Sequence, residues 1–250
     1  MLVILKTWQK KRLDQLLHER FAQYSRRQIQ SWIMQGKAKV DGVVNTKPGT
    51  MLNESIPLEL EVQEPKYASR AGFKLEKALE HFNINVQGLT ALDAGISTGG
   101  FTDCLLQHGI HKVYGIDVGY GQVHEKISRD PRVVILERTN LRTLTDVGQK
   151  VDLITLDLSF ISILKVMDAV CALLKPDGML ITLIKPQFEA RKEEVEKGGL
   201  ITKPKVHERI LDEVRVGVES CGFKCIGIID SPIQGSTGNK EFLGYFVRTI

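Results

Sequence analysis

Hydrophobic positions in the latter part of the chain come in short unbroken runs. Ala91-Leu92, Val113–Ile116, Val133–Leu136, Val151–Leu156 and Met179–Ile184 end in turn on Asp93, Asp117, Glu137, Asp157 and Lys185. Stretches with helical spacing separate them, a pattern that predicts buried parallel strands covered on both faces. A last strand, Phe242–Val247, follows the polar loop Gln234–Lys240. Ligands of such sheets bind beyond the carboxyl ends of the strands. Polar strand ends are common in any α/β fold, but five in succession mark one edge of the sheet as a site.

The segment after the first run sharpens this. Asp93 is followed by Gly95, Ser97, Thr98, Gly99 and Gly100, and then by Phe101, Leu105 and Leu106 at helical spacing. Strand, glycine-rich loop and helix open a nucleotide-binding α/β unit, although the same glycines also fit an ordinary tight turn. An acidic strand end repels a diphosphate, which favours a cationic ligand such as S-adenosylmethionine (SAM) over NAD or ATP. Asp117 follows about 20 residues later, where an acid can hold ribose hydroxyls. The expected cofactor contacts are Asp93, Gly95, Ser97, Thr98, Gly99, Gly100, Phe101, Asp117, Glu137 and Asp157.

The first 64 residues follow a different rhythm. Leu13, Leu16, Leu17 and Phe21 predict a short helix, and Ser25-Arg-Arg-Gln28 fits a capping box ahead of a stripe of Ile29, Trp32 and Ile33. Gly36 stops that helix. Asp41-Gly42 between β-formers predicts a hairpin, and Ser55–Val62 alternates like a strand. Glu64-Pro65 punctuates the chain, which puts the boundary between domains 1–64 and 65–250 there.

Charge separates the two parts further. The 250 residues carry a net charge of only +4, yet residues 1–50 hold ten lysines and arginines against three acids, a local +7. A basic lobe on a near-neutral body suits a polyanion. The four cysteines form no CxxC pair and the six histidines no metal-binding spacing, so reduced thiols in a cytoplasmic protein and no metal are expected. The apolar run Leu2–Leu5 is short for a signal peptide, and no stretch reaches the length of a membrane span.

The first domain resembles the S4 RNA-binding domain in Arg12-Leu-Asp-Gln-Leu-Leu17, Ser25-Arg-Arg-Gln-Ile29 and Gly36-Lys-Ala-Lys-Val-Asp-Gly-Val43. By that resemblance Arg12, Arg26, Arg27, Lys37 and Lys39 are candidate phosphate contacts, whereas Trp32 belongs to the core. Residues 1–10 precede the S4 pattern and read as an extension. In the second domain, Ser69-Arg-Ala-Gly-Phe-Lys-Leu75 resembles the opening motif of FtsJ-type 2′-O-methyltransferases. Asp157-Leu-Ser-Phe-Ile-Ser162, Ile184-Lys-Pro-Gln-Phe-Glu189 and Gly238-Asn-Lys-Glu-Phe242 resemble one branch, the TlyA family, often labelled haemolysin. The resemblance implies a catalytic tetrad of Lys74, Asp157, Lys185 and Glu241. It also implies a Rossmann-like, mostly parallel seven-stranded sheet with an antiparallel last strand, and methyl transfer from SAM to a cytidine ribose in ribosomal RNA of the ribosomal subunits.

The residue types suit that chemistry. A ribose 2′-hydroxyl must lose its proton as it attacks, and lysine takes a proton only when desolvation or a second cation makes its neutral form accessible. Asp157 would orient Lys185, and Glu241 would orient Lys74 or the ribose. A surface ion-pair network is the plainer alternative. Amino-methyltransferases carry a proline pair where this chain reads Asp157-Leu-Ser-Phe160, and no cysteine ends a strand as C5-methylation of a base requires. Ile96 stands where a small residue is usual and is expected to crowd the cofactor, which leaves open a catalytically weak RNA-binding protein. A membrane-active haemolysin would need an amphipathic element that the sequence lacks. The oligomeric state is not fixed by the sequence.

Overall fold

The computed structural model describes residues 10–61 and 65–249, which divide into two compact units, 1–64 and 65–250. In the first, β1 (Lys10–Arg12) leads into α1 (Leu13–Arg20) and α2 (Arg26–Met34), followed by β2 (Ala38–Val40), β3 (Val43–Val44), β4 (Met51–Asn53) and β5 (Leu58–Leu60). Both halves of the Ser25–Gln28 capping box form. Asp41 and Gly42 both take positive φ, 50° and 76°, which closes the β2–β3 hairpin as the sequence predicts. Leu13, Leu17, Ile29, Ile33 and Ala38 are the core, with Trp32 packed against it.

Two expectations need correction here. Lys10 belongs to the domain, because β1 pairs antiparallel with β4 and sets Lys10 opposite Asn53; residues 1–9 of the expected extension lie outside the described residues. The strand expected over 55–62 shrinks to β5. Ile56 is drawn into a turn by its N–H bond to Asn53, and Pro57 has no N–H for a ladder. Val62 also lies outside the described residues.

The second unit runs α3 (Ala71–His81), β6 (Thr90–Ala94), α4 (Gly100–Gln107), β7 (Lys112–Ile116), α5 (Glu125–Ser128), β8 (Val133–Leu136), β9 (Val151–Leu156), α6 (Met167–Leu173), β10 (Leu174–Ile184), α7 (Pro186–Glu189), α8 (Pro204–Ser220), β11 (Phe223–Asp230) and β12 (Phe242–Arg248). One seven-stranded sheet results, in the order β11-β12-β10-β9-β6-β7-β8. Its strands are parallel from β10 to β8, and β12 is antiparallel to both neighbours.

Residues alternate between two cores. Leu92, Ile154 and Leu156 pack with α6 and α8, while Ala91, Val113 and Leu153 pack with α3 and α4. Val133–Leu136, expected as a buried strand, is the edge strand β8 and leaves Val134 exposed, because only β7 pairs with it. No described helix is long and apolar enough to cross a membrane. Among the described residues no group of three or more His, Cys, Asp and Glu could hold a metal ion.

Candidate active site

The connections reverse direction between β6 and β9, whose carboxyl ends therefore form the natural crevice of the sheet. Gly95 lines it at φ 85°, and a Cβ there would lie 2.4 Å from the Asp157 carbonyl oxygen, so only glycine lets the two strand ends approach. A cavity of about 480 Å³ opens above, lined by Gly95, Ser97, Asp117, Asn140, Arg142 and Asp157 among others. A recess of about 70 Å³ beside it is lined by Thr98, Gly100 and Phe101 together with Gly95, Ser97 and Asp157. Asp117 is held by two backbone donors, Ser97 N–H to Oδ2 at 2.8 Å and Gly119 N–H to Oδ1 at 2.7 Å. Each oxygen keeps a lone pair for a ligand hydroxyl.

Three expected cofactor contacts do not reach these cavities. Asp93 is fully buried, and its oxygens accept from Thr102 Oγ1 at 2.7 Å and Thr155 Oγ1 at 2.8 Å. It points into the body and ties β6 to α4 and β9. Burial pushes its carboxyl up to about 6, against the pull of the two threonines and with a further push from Asp157. Glu137 instead accepts from Gly121 N–H at 2.7 Å and fastens the loop after β7. Gly99, at φ 92°, forms the turn into α4 and lines neither cavity. Ile96, expected to crowd the cofactor, borders the smaller recess but not the larger cavity. Its side chain is 2% exposed and packs into the core over Gly115, which by lacking a Cβ leaves room for its Cδ1.

A third cavity, about 360 Å³, lies beyond the ends of β9 and β10 and shares Ser159 and Phe160 with the first. Lys185 and Glu241 both line it. The β10–β12 register explains their meeting: Ile184 pairs with Phe242, so the next residues outward are Lys185 and Glu241. Lys185 Nζ lies 2.7 Å from Asp157 Oδ1 and 3.1 Å from Ser159 Oγ. Lys74, from α3, reaches Glu241 Oε2 at 2.6 Å across 167 residues of sequence, and both side chains are buried. Thus the four residues stand as two ion pairs at one end of the sheet. Asn239 braces the approach to Glu241, accepting from Ile201 N–H at 2.9 Å and donating to Gly199 O at 2.8 Å.

Sequence reasoning missed several lining residues. Phe160 is 90% exposed, takes φ 64°, and sets its ring 5.1 Å from that of Phe188. An aromatic residue in a strand-end loop, outside any helical or strand period, is the signal that marks it. Asn140 and Arg142 sit in the loop after β8 and offer no sequence signal beyond polarity.

In the amino-terminal unit, taken by itself, the five candidate phosphate contacts differ. Arg27 is exposed with no partner among the described residues, and Lys37 is half-buried and equally unpaired. Lys39 forms an ion pair with Glu61, and Arg12 and Arg26 both bond Asp14. The sequence pattern alone does not separate free cations from paired ones.

Comparison with known proteins agrees with this division of labour. Residues 67–248 match the FtsJ-like methyltransferase family and residues 11–55 match the S4 domain. The 16S/23S rRNA (cytidine-2′-O)-methyltransferase TlyA of Mycobacterium tuberculosis is 41% identical over 234 residues, covering 92% of this chain and 87% of that protein. Hemolysin A of Brachyspira hyodysenteriae is 41% identical over 242 residues, covering 94% and 99%. A solved structure from Streptococcus thermophilus, named only provisionally as a haemolysin, is 35% identical with a TM-score of 0.73, covering 97% of this chain and 90% of that one. With both of its domains matched and such relatives along nearly its whole length, the chain belongs to the TlyA family of S4-containing, FtsJ-like methyltransferases.

Proposed function

We propose that this methyltransferase binds SAM in the cavity above β6 and β9 and methylates a ribose 2′-hydroxyl of cytidine in ribosomal RNA held by the S4 domain. The observation that carries the reading is the Lys185–Asp157 pair, which stands where the two larger cavities meet. The larger cavity has the volume of a nucleoside-sized ligand site. Among the described residues its lining holds Asp117 and Asp157 against one cationic side chain, Arg142, a set suited to a cationic ligand and poor for a diphosphate. Asp117 would hold the ribose hydroxyls, and Gly95 and Ser97 would border the amino-acid end. When bound, SAM supplies an electrophilic methyl group on a sulfonium.

The remaining chemistry belongs to the chain. Lys185 Nζ, once it has released its own proton, takes that of the 2′-hydroxyl, with Asp157 and Ser159 fixing its direction. Lys74 neutralises Glu241, and Glu241 borders the acceptor cavity next to Lys185, so the second pair fixes the wall against which the ribose rests. The relatives of Mycobacterium tuberculosis and Campylobacter jejuni that carry the cytidine-2′-O-methyltransferase name support the choice of acceptor.

Lys185→Arg is the decisive variant. Arginine preserves the charge and the pairing with Asp157 but keeps its proton at any workable pH. SAM affinity by calorimetry should stay close to that of the parent, while methyl transfer to ribosomal RNA falls at least ~10²-fold, as for a lost general base. Retention of most of the activity would exclude proton abstraction by Lys185.

A further inference from the structure

Asp14 lies in the first turn of α1 with no exposure, yet its carboxylate gathers four donors. Arg12 approaches through Nε at 2.9 Å and Nη2 at 3.2 Å, Arg26 through Nε at 3.1 Å, and Gln30 through Nε2 at 2.6 Å. Burial alone would push this carboxyl up; the bonds from Arg12, Gln30 and Arg26 outweigh it and hold the group well below the usual carboxylate range. The two arginines are not buried with it. Their side chains remain 46% and 48% exposed.

One carboxylate balances only one of the two guanidinium charges, so a positive charge is left at the surface. A bond at Nε restrains the planar group and narrows the directions its other N–H donors can take, and Arg12 is held by a second bond through Nη2. The Arg12 guanidinium also passes close over Gly49, where a Cβ would lie 3.3 Å from Nη1. A lysine or an unanchored arginine loses its rotamer freedom when it grips a phosphate, whereas these two have given up part of it on folding.

We propose that Asp14 is a positioning residue for RNA binding: it holds the guanidinium groups of Arg12 and Arg26 side by side, so that both present donors to one stretch of phosphate backbone. The proposal rests on the reading of the amino-terminal unit as an RNA-binding surface. It makes a counterintuitive demand. Asp14→Asn removes a negative charge from a basic surface, which by charge alone should tighten RNA binding and steepen its salt dependence. A positioning role requires the opposite.

The test uses the full chain and an in vitro transcript of 16S ribosomal RNA, with filter binding across a potassium chloride titration and circular dichroism as a check of folding. Asp14→Asn should bind at least about fivefold more weakly, with the salt slope reduced by roughly one phosphate contact. Equal or tighter binding by the folded variant overturns the proposal. The double variant Arg12→Lys with Arg26→Lys keeps both charges and leaves Asp14 able to pair, and it decides the question should Asp14→Asn fail to fold. It should weaken binding about as much as Arg12→Ala with Arg26→Ala, because an ammonium cannot serve Asp14 and a phosphate in one rigid plane. Parent-like binding by the lysine pair alongside weak binding by the alanine pair refutes positioning while leaving the RNA surface intact. Parent-like binding by the alanine pair overturns the surface reading and the proposal with it.

Discussion

Ile96 and Gly115 offer a close test of the packing beneath the carboxyl ends of β6 and β7. A Cβ added at Gly115 would stand 2.3 Å from Ile96 Cδ1, with Cγ1 next at 3.3 Å. Ile96 is 2% exposed and belongs to the core packed against α3 and α4. Gly115→Ala is therefore an overpacking substitution, which costs about 2 kcal/mol within the usual 1–3 kcal/mol. Ile96→Val removes the clashing methyl and alone costs about 1 kcal/mol for the lost contacts. In the double variant the alanine methyl fills the space that Cδ1 vacates, so the total should be about 1 kcal/mol, and the coupling between the two sites about 2 kcal/mol. The assay is urea unfolding followed by far-ultraviolet circular dichroism. Tryptophan fluorescence is the wrong probe, since the two tryptophans of the sequence, Trp8 and Trp32, both precede residue 65 and none lies in the methyltransferase domain. Additive costs, agreeing within about 0.5 kcal/mol, would refute the claim that the isoleucine is accommodated by the glycine.

Other outcomes follow from the same geometry. Asp93 has a folded-state value of about 6 against 3.8 for the free group, so the native state holds its proton more tightly and stability from this residue is lost as pH rises through that window. Measured against the parent by denaturation, Asp93→Asn should gain up to about 3 kcal/mol between pH 4 and pH 7; a pH-independent difference would show that Asp93 does not titrate there. Asp117→Ala should weaken SAM binding in calorimetry by about 1–3 kcal/mol, with binding of the RNA transcript unchanged.

The sequence is most informative where local rules act alone. The Asp41-Gly42 turn, the Ser25–Gln28 capping box and the run Val151–Leu156 each need only their own residues, and each forms as expected. Strand ends are harder. Asp93, Asp117, Glu137 and Asp157 look equivalent as acids closing apolar runs, but period-two alternation sends Asp93 into the body, and a neighbouring loop occupies Glu137. The room for Ile96 is not legible locally, because the glycine that receives its Cδ1, Gly115, lies on β7. The pairing of Lys74 with Glu241 was invisible to spacing and entered only through family resemblance. Phe160 stands in the Asp157–Ser162 motif, but nothing in the sequence shows that its ring is exposed beside Phe188.

The reversed strand β12 has a consequence for how the protein is made. It is the penultimate strand in space but the last in sequence, wedged between β10 and β11. A chain cut or stalled before Phe242 would leave two unpaired edges facing each other across a gap one strand wide, a template for pairing with other chains. The same chain would lack the ladder that sets Glu241 beside Lys185 and across from Lys74. The closing of both edges and the placing of Glu241 beside Lys185 thus depend on one strand, and a product shortened before Phe242 should be lost to aggregation instead of persisting as a folded protein.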